Sequence, residues 1–423
     1  MKTIVLDDDP TGTQSASDVP VLLDHDTDLL TDTLRHDDAA YILTNSRAIP
    51  EDAAVTLVGR IREAGAEAAR RLGTDVRFVL RGDSTLRGHV FAESDVFASP
   101  DSVLLFLPAF PAGGRTTRDG IHWVRIGGTD VPAGETEYAR DPVFGFRSST
   151  MAGYVAEAGG GRKVLTVPLA ELRATAGDAV ARALGEAAPG TVIAPDAVTD
   201  EDIDLVHQGL ERAWAAGRRI VVRCAAPLAA RCSAAVSPGL LPAPLRRPAG
   251  PVLVVCGSHT SGATRQLATV ERHWAARPLL LDTDRALTDP AAAGRDLVER
   301  AHEQLRTRGV AVLASERERS ARNNTLDHGE RVMTGLTTAV RELAGAVAAV
   351  VAKGGITSAE VARTGLRTST ARVRGQMLAG VSVWDLRTPS GVLPYVVVPG
   401  NVGGDDTLDE VLRRLGVPGR ATS

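Results

Sequence analysis

Short apolar runs recur along the whole chain, and each ends in glycine, proline or polar residues. Alanine-rich segments with helical periodicity separate many of these runs, an alternation that predicts an α/β fold with parallel strands. The predicted strands are residues 3–6, 19–23, 39–43, 76–80, 103–107, 163–167, 190–196, 219–223, 252–256, 279–281, 309–313, 348–352 and 395–398. The predicted helices include 50–71, 262–277, 291–308 and 328–344, with another starting near Ala359. Residues 127–149 interrupt the pattern and are expected to form a lid or part of a site.

The length of the chain predicts two domains, because 423 residues exceed what one ordinary core accommodates. Five prolines fall between residues 237 and 251, where helical periodicity is almost absent. We therefore predict an N-terminal domain at 1–236, a proline-rich linker at 237–250 and a C-terminal domain at 251–423. Each domain is expected to hold a mostly parallel sheet flanked by helices, with the active site in the cleft between the domains.

The composition excludes several classes of protein. A net charge of −4 and a pI near 6.2 argue against a general nucleic-acid binder. The three cysteines, Cys224, Cys232 and Cys256, have neither a disulfide pattern nor metal-ligand spacing. No apolar run is long enough to span a bilayer and no signal peptide is recognisable, so we expect a cytoplasmic protein without a membrane partner.

The densest set of functional groups is the octet 81–88, Arg-Gly-Asp-Ser-Thr-Leu-Arg-Gly, directly after the predicted strand 76–80. Loops at the carboxyl ends of parallel strands often carry ligand sites. Guanidinium groups there suit an anionic substrate, and hydroxyls suit sugar-like oxygens. A polar turn would explain one Arg–Asp pair, but so many functional groups in eight residues favour a binding site.

Two other N-terminal strands also end in polar groups. Residues 8–12, Asp-Asp-Pro-Thr-Gly, offer adjacent carboxylates for binding hydroxyls or abstracting a proton. The alternative is an acidic turn that caps the next segment through Thr11 or Thr13. Residues 45–47, Asn-Ser-Arg, are explained nearly as well by an ordinary helix N-cap as by contact with a ligand.

Three glycine-bearing loops follow predicted strands of the C-terminal domain, at 257–262, 353–358 and 399–406. Consecutive glycines let backbone N–H groups form a nest for an anion, with Lys353 as a point charge. None of these loops is a Walker A motif, but three in one domain favour a nucleotide site. The candidate nucleotide contacts are Ser258, Lys353, Gly354, Gly355, Thr357, Gly400, Asn401 and Gly403.

These motifs together resemble the four-carbon acid sugar kinase family. The resemblance lies in the octet's Asp-Ser-Thr-Leu-Arg-Gly core, preceded by basic Arg81 where many members carry Lys. It extends to Asp-Asp-x-Thr-Gly at 8–12, to 45–47, and to Gly-Arg-Thr-Thr at 114–117. In the C-terminal domain the Gly-Ser, Gly-Gly-x-Thr and Gly-Asn elements occur in the family's order, so the resemblance covers the chain from about Ile4 to Leu412.

The resemblance implies an ATP-dependent kinase that phosphorylates the terminal hydroxyl of a small sugar acid such as threonate, erythronate or 3-oxo-tetronate. The N-terminal domain would hold the acid and the C-terminal domain ATP with Mg²⁺, whose ligands stay unassigned. One of Asp8, Asp9 and Asp83 would orient or deprotonate the hydroxyl, with Asp8 and Asp83 as the catalytic candidates. The implied substrate contacts are Asp8, Asp9, Arg47, Arg81, Asp83, Ser84, Thr85 and Arg87. The oligomeric state stays open, with a homodimer as one option.

A rival hypothesis is a haloacid-dehalogenase-like phosphatase, because Asp7-x-Asp9-x-Thr11 fits its nucleophile and general-acid pattern. That hypothesis leaves the octet and the glycine loops without a purpose, and it needs further residues from across the proline-rich segment. A non-catalytic sugar-acid binding module is a third hypothesis. A nicotinamide dehydrogenase is disfavoured, since no G-x-G-x-x-G follows the first strand.

Overall fold

The protein forms two compact units, Met1–Val236 and Ser237–Ser423, called here the N-terminal and C-terminal units. The structure is a computed structural model that describes residues 1–245, 250–317, 326–388, 391–400 and 402–417, without the side chains of 326 and 327. Both units are α/β, as the sequence predicted. The linker role of 237–250 and a site between the domains stay predictions. In the described residues, no helix has the length and apolarity needed to cross a bilayer.

The N-terminal unit alternates strands and helices. Its strands are β1 (Lys2–Asp7), β2 (Val19–Leu22), β3 (Ala39–Leu43), β4 (Val76–Arg81), β5 (Val103–Leu107), β6 (Arg115–Arg118), β7 (Ile121–Ile126), β8 (Thr129–Pro132), β9 (Val164–Val167), β10 (Val192–Pro195) and β11 (Ile220–Cys224). Its helices are α1 (Thr27–His36), α2 (Glu51–Leu72), α3 (Val90–Val96), α4 (Met151–Ala158), α5 (Leu169–Ala174), α6 (Asp178–Glu186), α7 (Asp200–Ala215) and α8 (Ala226–Cys232).

The main sheet of this unit has the strand order β2–β3–β1–β4–β11–β5–β10–β9, with parallel pairing throughout. Ile4 of β1 and Ile42 of β3 are buried with Ile61 of α2 in one apolar cluster. Phe106 of β5 packs with Tyr154 of α4 in a second cluster. Because the strands all run the same way, their carboxyl ends share one edge, and the loops that leave that edge can form a site.

Residues 115–132 depart from the parallel pattern, since β6, β7 and β8 form a small antiparallel sheet. The irregular segment 127–149 therefore begins as a hairpin turn and a strand. Farther along, Ala139 and Phe146 are buried against the core beside Tyr154. A few well-spaced apolar side chains thus fix a segment in which the sequence showed little periodicity.

The C-terminal unit repeats the α/β pattern with an antiparallel addition. Its strands are β12 (Val252–Cys256), β13 (Leu279–Leu280), β14 (Val310–Ala314), β15 (Ala349–Lys353), β16 (Thr370–Leu378), β17 (Val381–Thr388) and β18 (Gly391–Val398). Its helices are α9 (Ser261–Trp274), α10 (Thr283–Thr288), α11 (Pro290–Arg308), α12 (Leu326–Leu343), α13 (Gly355–Glu360) and α14 (Thr407–Arg414).

In this unit the strand order is β13–β14–β12–β15–β18–β17–β16. The pairings are parallel from β13 to β18 and antiparallel from β18 to β16. The hairpin β16–β17 was not predicted, because β16 alternates buried and more exposed residues around Gly375 instead of forming an apolar run. The helix predicted to start near Ala359 is α13, which starts at Gly355, directly at the strand exit.

Helices α11 and α12 pack closely because glycines face each other. A Cβ on Gly294 would lie 2.2 Å from the carbonyl oxygen of Gly335. We expect Gly294→Ala to destabilise the protein by about 1–3 kcal/mol, since the helices must separate. Gly329→Ala, on an exposed part of α12 where no atom of the described residues lies within 4 Å of the Cβ position, should stabilise by about 0.5–1 kcal/mol. Urea unfolding measures both variants, and equal effects would contradict this account.

Candidate functional site

The carboxyl edge of the N-terminal sheet brings the predicted substrate contacts together. Asp7, the last residue of β1, lies in register with Leu43 of β3 and with Arg81 of β4. The loops after these three strands therefore leave the sheet side by side. They carry Asp8, Asp9, Arg47, Asp83, Ser84, Thr85 and Arg87.

Arg81 is buried at the centre of this cluster, with 2% of its side chain exposed. Its Nη1 donates to Asp7 Oδ1 at 2.9 Å and to Asp8 Oδ1 at 3.3 Å, and lies 3.5 Å from Asp9 Oδ1. Burial disfavours the charged guanidinium, but the charges of Asp7 and Asp8 outweigh burial and raise the pKa of Arg81. This guanidinium therefore neutralises aspartates of the protein itself, and a direct contact of Arg81 with the substrate stays a prediction.

Arg47 is more accessible, with 16% of its side chain exposed. It forms ion pairs with three carboxylates: its Nε lies 3.6 Å from Asp8, its Nη1 lies 3.5 Å from Asp83, and its Nη2 contacts Asp9. Asp9 also caps the next helical turn by accepting from the backbone N–H of Thr11 at 2.7 Å. An anionic ligand entering here would meet Arg47 before the deeper charges.

Asp83 accepts hydrogen bonds from the Thr85 hydroxyl and from Arg87 Nε, the latter at 2.8 Å. Burial opposes ionisation of Asp83, but Arg87, Arg47 and Thr85 outweigh burial and hold its pKa well below its usual range. A carboxylate held so strongly in its charged form is a weak base. Arg87 keeps 22% of its side chain exposed, so it can still contact a ligand.

The backbone of the octet is held from below by residues to which the sequence analysis gave no role. His122 Nε2 donates to the Ser84 carbonyl at 2.8 Å, and its Nδ1 accepts from the Thr117 hydroxyl at 3.0 Å. Burial lowers the pKa of His122 to about 4, so the ring is neutral and fits these two bonds. The Tyr154 hydroxyl donates to the carbonyl of Leu86, whose φ is +67°. The backbone of the octet is therefore held in one conformation by side chains from outside the loop.

Segment 127–149 reaches the same loop from the outside. The Arg87 guanidinium lies 5.1 Å from the Tyr138 ring and 3.6 Å from Asp141 Oδ2. The other oxygen of Asp141 accepts backbone N–H groups of Val143 and Phe144. This segment therefore fixes one side of the most accessible part of the cluster.

Sequence reasoning missed two buried charged residues of this cluster, Arg223 and Glu93. Arg223, next to last in β11, has its Nη2 3.4 Å from Asp8 Oδ2, and its Nη1 donates to Glu93 of α3. The available signal was an arginine at the carboxyl end of the apolar run 220–222, at the same kind of strand exit as the other charged residues. The partner of this arginine, 130 positions away in sequence, was not visible without the fold.

The glycine-bearing loops of the C-terminal unit also meet at the carboxyl edge of their sheet. The Thr260 hydroxyl donates to the Gly400 carbonyl at 3.0 Å and lies 3.2 Å from the Ser258 hydroxyl. Gly354 has a φ of +111°, and a Cβ added to it would lie only 3.3 Å from the Cβ of Ser258. Gly355 and Thr357 lie at the start of α13, and Gly403 follows on the third loop. Asn401 lies outside the described residues.

Lys353 does not act as the free point charge that the sequence predicted. Its side chain is fully buried, and its Nζ donates to the carbonyls of Pro399 and Val402 at 2.8 and 3.2 Å. Burial lowers its pKa to about 8. Gln266 of α9 supports the same loop by donating to the carbonyls of Val402 and Gly404. Lys353 therefore holds the third glycine loop through two of its carbonyls, and a contact between Lys353 and a nucleotide stays a prediction.

A cavity of about 590 Å³ lies away from both edges, at the amino ends of β4 and β11. Arg77, Trp214 and Glu211 line it, with Arg77 stacked 3.5 Å from the Trp214 ring centre. The predicted site residues are absent from its lining as far as the described residues go. The cavity is thus separate from the charged cluster.

Comparisons with known proteins match two separate regions of the chain. Residues 3–232 match the family model of a sugar-binding N-terminal domain, and residues 253–408 match that of a nucleotide-binding C-terminal domain. The chain is 32% identical over 260 residues to a D-erythronate kinase of Heliobacterium modesticaldum, covering 60% of this chain and 54% of that protein. It is 33% identical over 270 residues to a D-threonate kinase of Bordetella bronchiseptica, covering 60% and 56%. The matched part thus spans little more than half the length of these curated relatives.

Solved structures share the fold. A Haemophilus influenzae protein superposes with a TM-score of 0.64 at 17% identity, covering 97% of this chain and 100% of that one. A Salmonella typhimurium protein gives a TM-score of 0.69 at 18% identity, covering 97% and 99%. At these identities the likeness concerns the fold alone.

The phosphatase hypothesis for Asp7-x-Asp9 is not supported. The family models and the kinase relatives account for the chain without it. Asp7, which would be the nucleophile, is buried and accepts a hydrogen bond from Arg81. A nucleophile must reach the phosphorus of its substrate, and this carboxylate faces the protein interior.

Burial raises the pKa of Asp7 to about 7, with the charge of Asp8 adding to the effect and Arg81 opposing it. The folded protein therefore keeps a proton that the unfolded chain releases near pH 4, so stability should fall as pH rises from about 4 to 7. We expect Asp7→Asn to gain about 2–3 kcal/mol relative to the wild type between pH 5 and pH 8.

Urea unfolding of both proteins at each pH measures this difference. Asp32→Asn, at an exposed position on α1, is the control and should follow the wild type. Parallel stability curves for Asp7→Asn and the wild type would show that Asp7 is ionised throughout.

Proposed function

Because this chain belongs to the four-carbon acid sugar kinase family, we propose that it transfers the γ-phosphoryl group of ATP to the terminal hydroxyl of a small sugar acid such as threonate, erythronate or 3-oxo-tetronate. The observation that carries the proposal is the cluster of aspartates and arginines at one edge of the N-terminal sheet. Carboxylates suit the hydroxyls of such a substrate, and guanidinium groups suit its acid.

Arg47 and Arg87 are the proposed partners of the substrate's carboxylate, because they keep 16% and 22% of their side chains exposed. Arg47 forms ion pairs with three aspartates. A substrate carboxylate can replace one of these aspartates as the partner of Arg47, because the guanidinium then remains paired with a negative charge. Ser84 and Thr85 lie on the same loop and are proposed to bind substrate oxygens. Arg81 supports this site from below.

Asp8 and Asp83 remain the candidates for orienting the reacting hydroxyl. Phosphoryl transfer relies mainly on positioning and on neutralising charge, so a carboxylate of low basicity suffices for that task. The very low basicity of Asp83 suits it to anchoring Arg87 and a substrate hydroxyl.

ATP is proposed to bind the C-terminal unit, where the three glycine loops meet. The backbone N–H of Gly355 at the exit of β15, with the hydroxyls of Ser258 and Thr357, forms the proposed phosphate contacts, and Gly354, whose own N–H donates to the Val398 carbonyl at 2.9 Å, lets the chain approach the nucleotide closely. Lys353 holds the third loop in shape through the Pro399 and Val402 carbonyls.

Mg²⁺ is also part of the proposal, and it would neutralise charge on the phosphates when bound. Among the described residues, no three His, Cys, Asp or Glu side chains converge as a metal site. Mg²⁺ is commonly held by substrate phosphates, water and one or two carboxylates, so the ion is proposed to arrive on the nucleotide. A homodimer stays a prediction.

Radiolabelled ATP tests the reaction directly. Incubation of the protein with [γ-³²P]ATP, Mg²⁺ and a panel of four-carbon acids should give an acid-stable label on one of the acids. The protein should stay unlabelled after quenching, since direct transfer needs no covalent intermediate. Absence of labelled product with every acid, or phosphate release from a sugar-acid phosphate without nucleotide, would contradict the proposal.

Gly354→Ala tests the assignment of the nucleotide. Its φ of +111° and the nearby Ser258 mean that a methyl group would force the two loops apart. We expect calorimetry to give about tenfold or weaker ADP binding, a smaller loss for adenosine, and unchanged binding of the sugar acid. Gly345→Ala, which has open space around it, is the matched control. Normal ADP affinity of Gly354→Ala would place the nucleotide elsewhere.

A further inference from the structure

Arg223 and Glu93 form a buried ion pair directly behind Asp8, and the proposed function does not yet use it. Arg223 Nη1 donates to Glu93 Oε2, and both side chains are almost fully buried. A buried pair of this kind is weak evidence for stability, because desolvation offsets much of its attraction. Its position beside a candidate catalytic carboxylate calls for a different explanation.

Both oxygens of Asp8 face guanidinium groups. Oδ1 lies 3.3 Å from Arg81, whereas Oδ2 lies 3.4 Å from Arg223 and 3.6 Å from Arg47. These contacts are longer than the 2.7–2.9 Å of strong charge-assisted bonds, so the lone pairs of Asp8 are incompletely used. The acidic neighbours that share these guanidinium groups are Asp7, Asp9, Asp83 and Glu93.

The other aspartates are more firmly occupied than Asp8. Asp83 is bonded to Thr85 and Arg87, and Asp9 is bonded to the backbone and hydroxyl of Thr11. Asp7 accepts from Arg81 at 2.9 Å in the interior. Asp8 is therefore the aspartate of the cluster that can most readily accept a further hydrogen bond, when a substrate carboxylate draws Arg47 away from it.

Gly82 makes the contact between Arg223 and Asp8 possible. A Cβ at Gly82 would lie 2.6 Å from Nε and Nη2 of Arg223. Any side chain there would push the guanidinium away from Asp8. Gly82 of the octet thus leaves the space that the Arg223 guanidinium occupies, although Arg223 lies on a different strand.

We infer that Arg223, held by Glu93, is a positioning residue that fixes the orientation and the charge of Asp8, the carboxylate that receives the proton of the reacting hydroxyl. This inference rests on the proposed function. In the step, the substrate O–H bond breaks and its proton passes to Asp8. The hydroxyl oxygen forms a bond to the γ-phosphorus, and the bond from that phosphorus to the bridging oxygen breaks with its electron pair leaving on ADP.

The two partners of the pair should act on the reaction in opposite directions. Arg223→Met removes a cation beside Asp8, so the acidic limb of the kcat–pH profile should move up by about one pH unit. Glu93→Gln leaves the charge of Arg223 unshared, so the same limb should move down. Arg223→Lys keeps the charge without the planar fork, and should lower kcat about tenfold with KM for ATP unchanged.

A merely structural pair predicts a different result, namely loss of stability with no movement of the limb. The double variant Glu93→Gln/Arg223→Met removes both buried charges and should regain stability. Its acidic limb should nevertheless stay high, as in Arg223→Met. Arg231→Lys, an arginine of α8 whose ion pairs lie outside the cluster, is the control and should keep wild-type kinetics.

Unmoved limbs in all three charge variants would overturn the inference. If Arg223→Met does not fold, Arg223→Lys and Glu93→Gln carry the test, since both preserve the size of the side chain. A wild-type protein that phosphorylates no four-carbon acid would refute the proposed function. Normal wild-type transfer with unshifted variants would refute the positioning role alone.

Discussion

Three aspartates follow one another at the end of a buried strand, and the contacts of Arg81 with all three, together with the raised pKa of Asp7, make their burial tolerable. Arg81 lies on the neighbouring strand in register with Asp7, so the pairing of β1 with β4 delivers the cation to the acids. The rest of the N-terminal site is arranged around this centre. Arg47 contacts the aspartates from the solvent side, Arg223 contacts Asp8 from β11, and Asp83 binds Arg87 at the more exposed edge of the cluster.

The C-terminal unit also buries a cation at the end of a strand, but there the partners are uncharged. Lys353 is buried, its acceptors in the described part of the chain include no carboxylate, and two backbone carbonyls of the third glycine loop accept hydrogen bonds from its Nζ. The loop is thereby tied to the end of β15. In both units a buried cation at a strand end organises loops instead of meeting solvent, which leaves ligand contacts to more exposed neighbours.

Much of this was predictable from sequence, because strand ends and their loops are encoded locally. The apolar runs predicted the parallel strands, and the motifs at 8–12, 45–47 and 81–88 predicted which loops carry charge. The roles of individual cations were not predictable, since they depend on which strands are neighbours. Arg81 was assigned to the substrate because the sequence does not show Asp7 beside it. Arg223 and Glu93 were missed for the same reason.

The alternation of side chains along β4 gives the charged cluster a second consequence. Leu80 belongs to the apolar core and the next residue, Arg81, belongs to the aspartates. Because strand side chains alternate between faces, a shift of β4 by one residue against β1 would bury the guanidinium in hydrocarbon and place leucine among three carboxylates. The ion pairs therefore specify the register of β4 against β1, because misaligned sheets that apolar strands alone would tolerate would separate the guanidinium from the carboxylates.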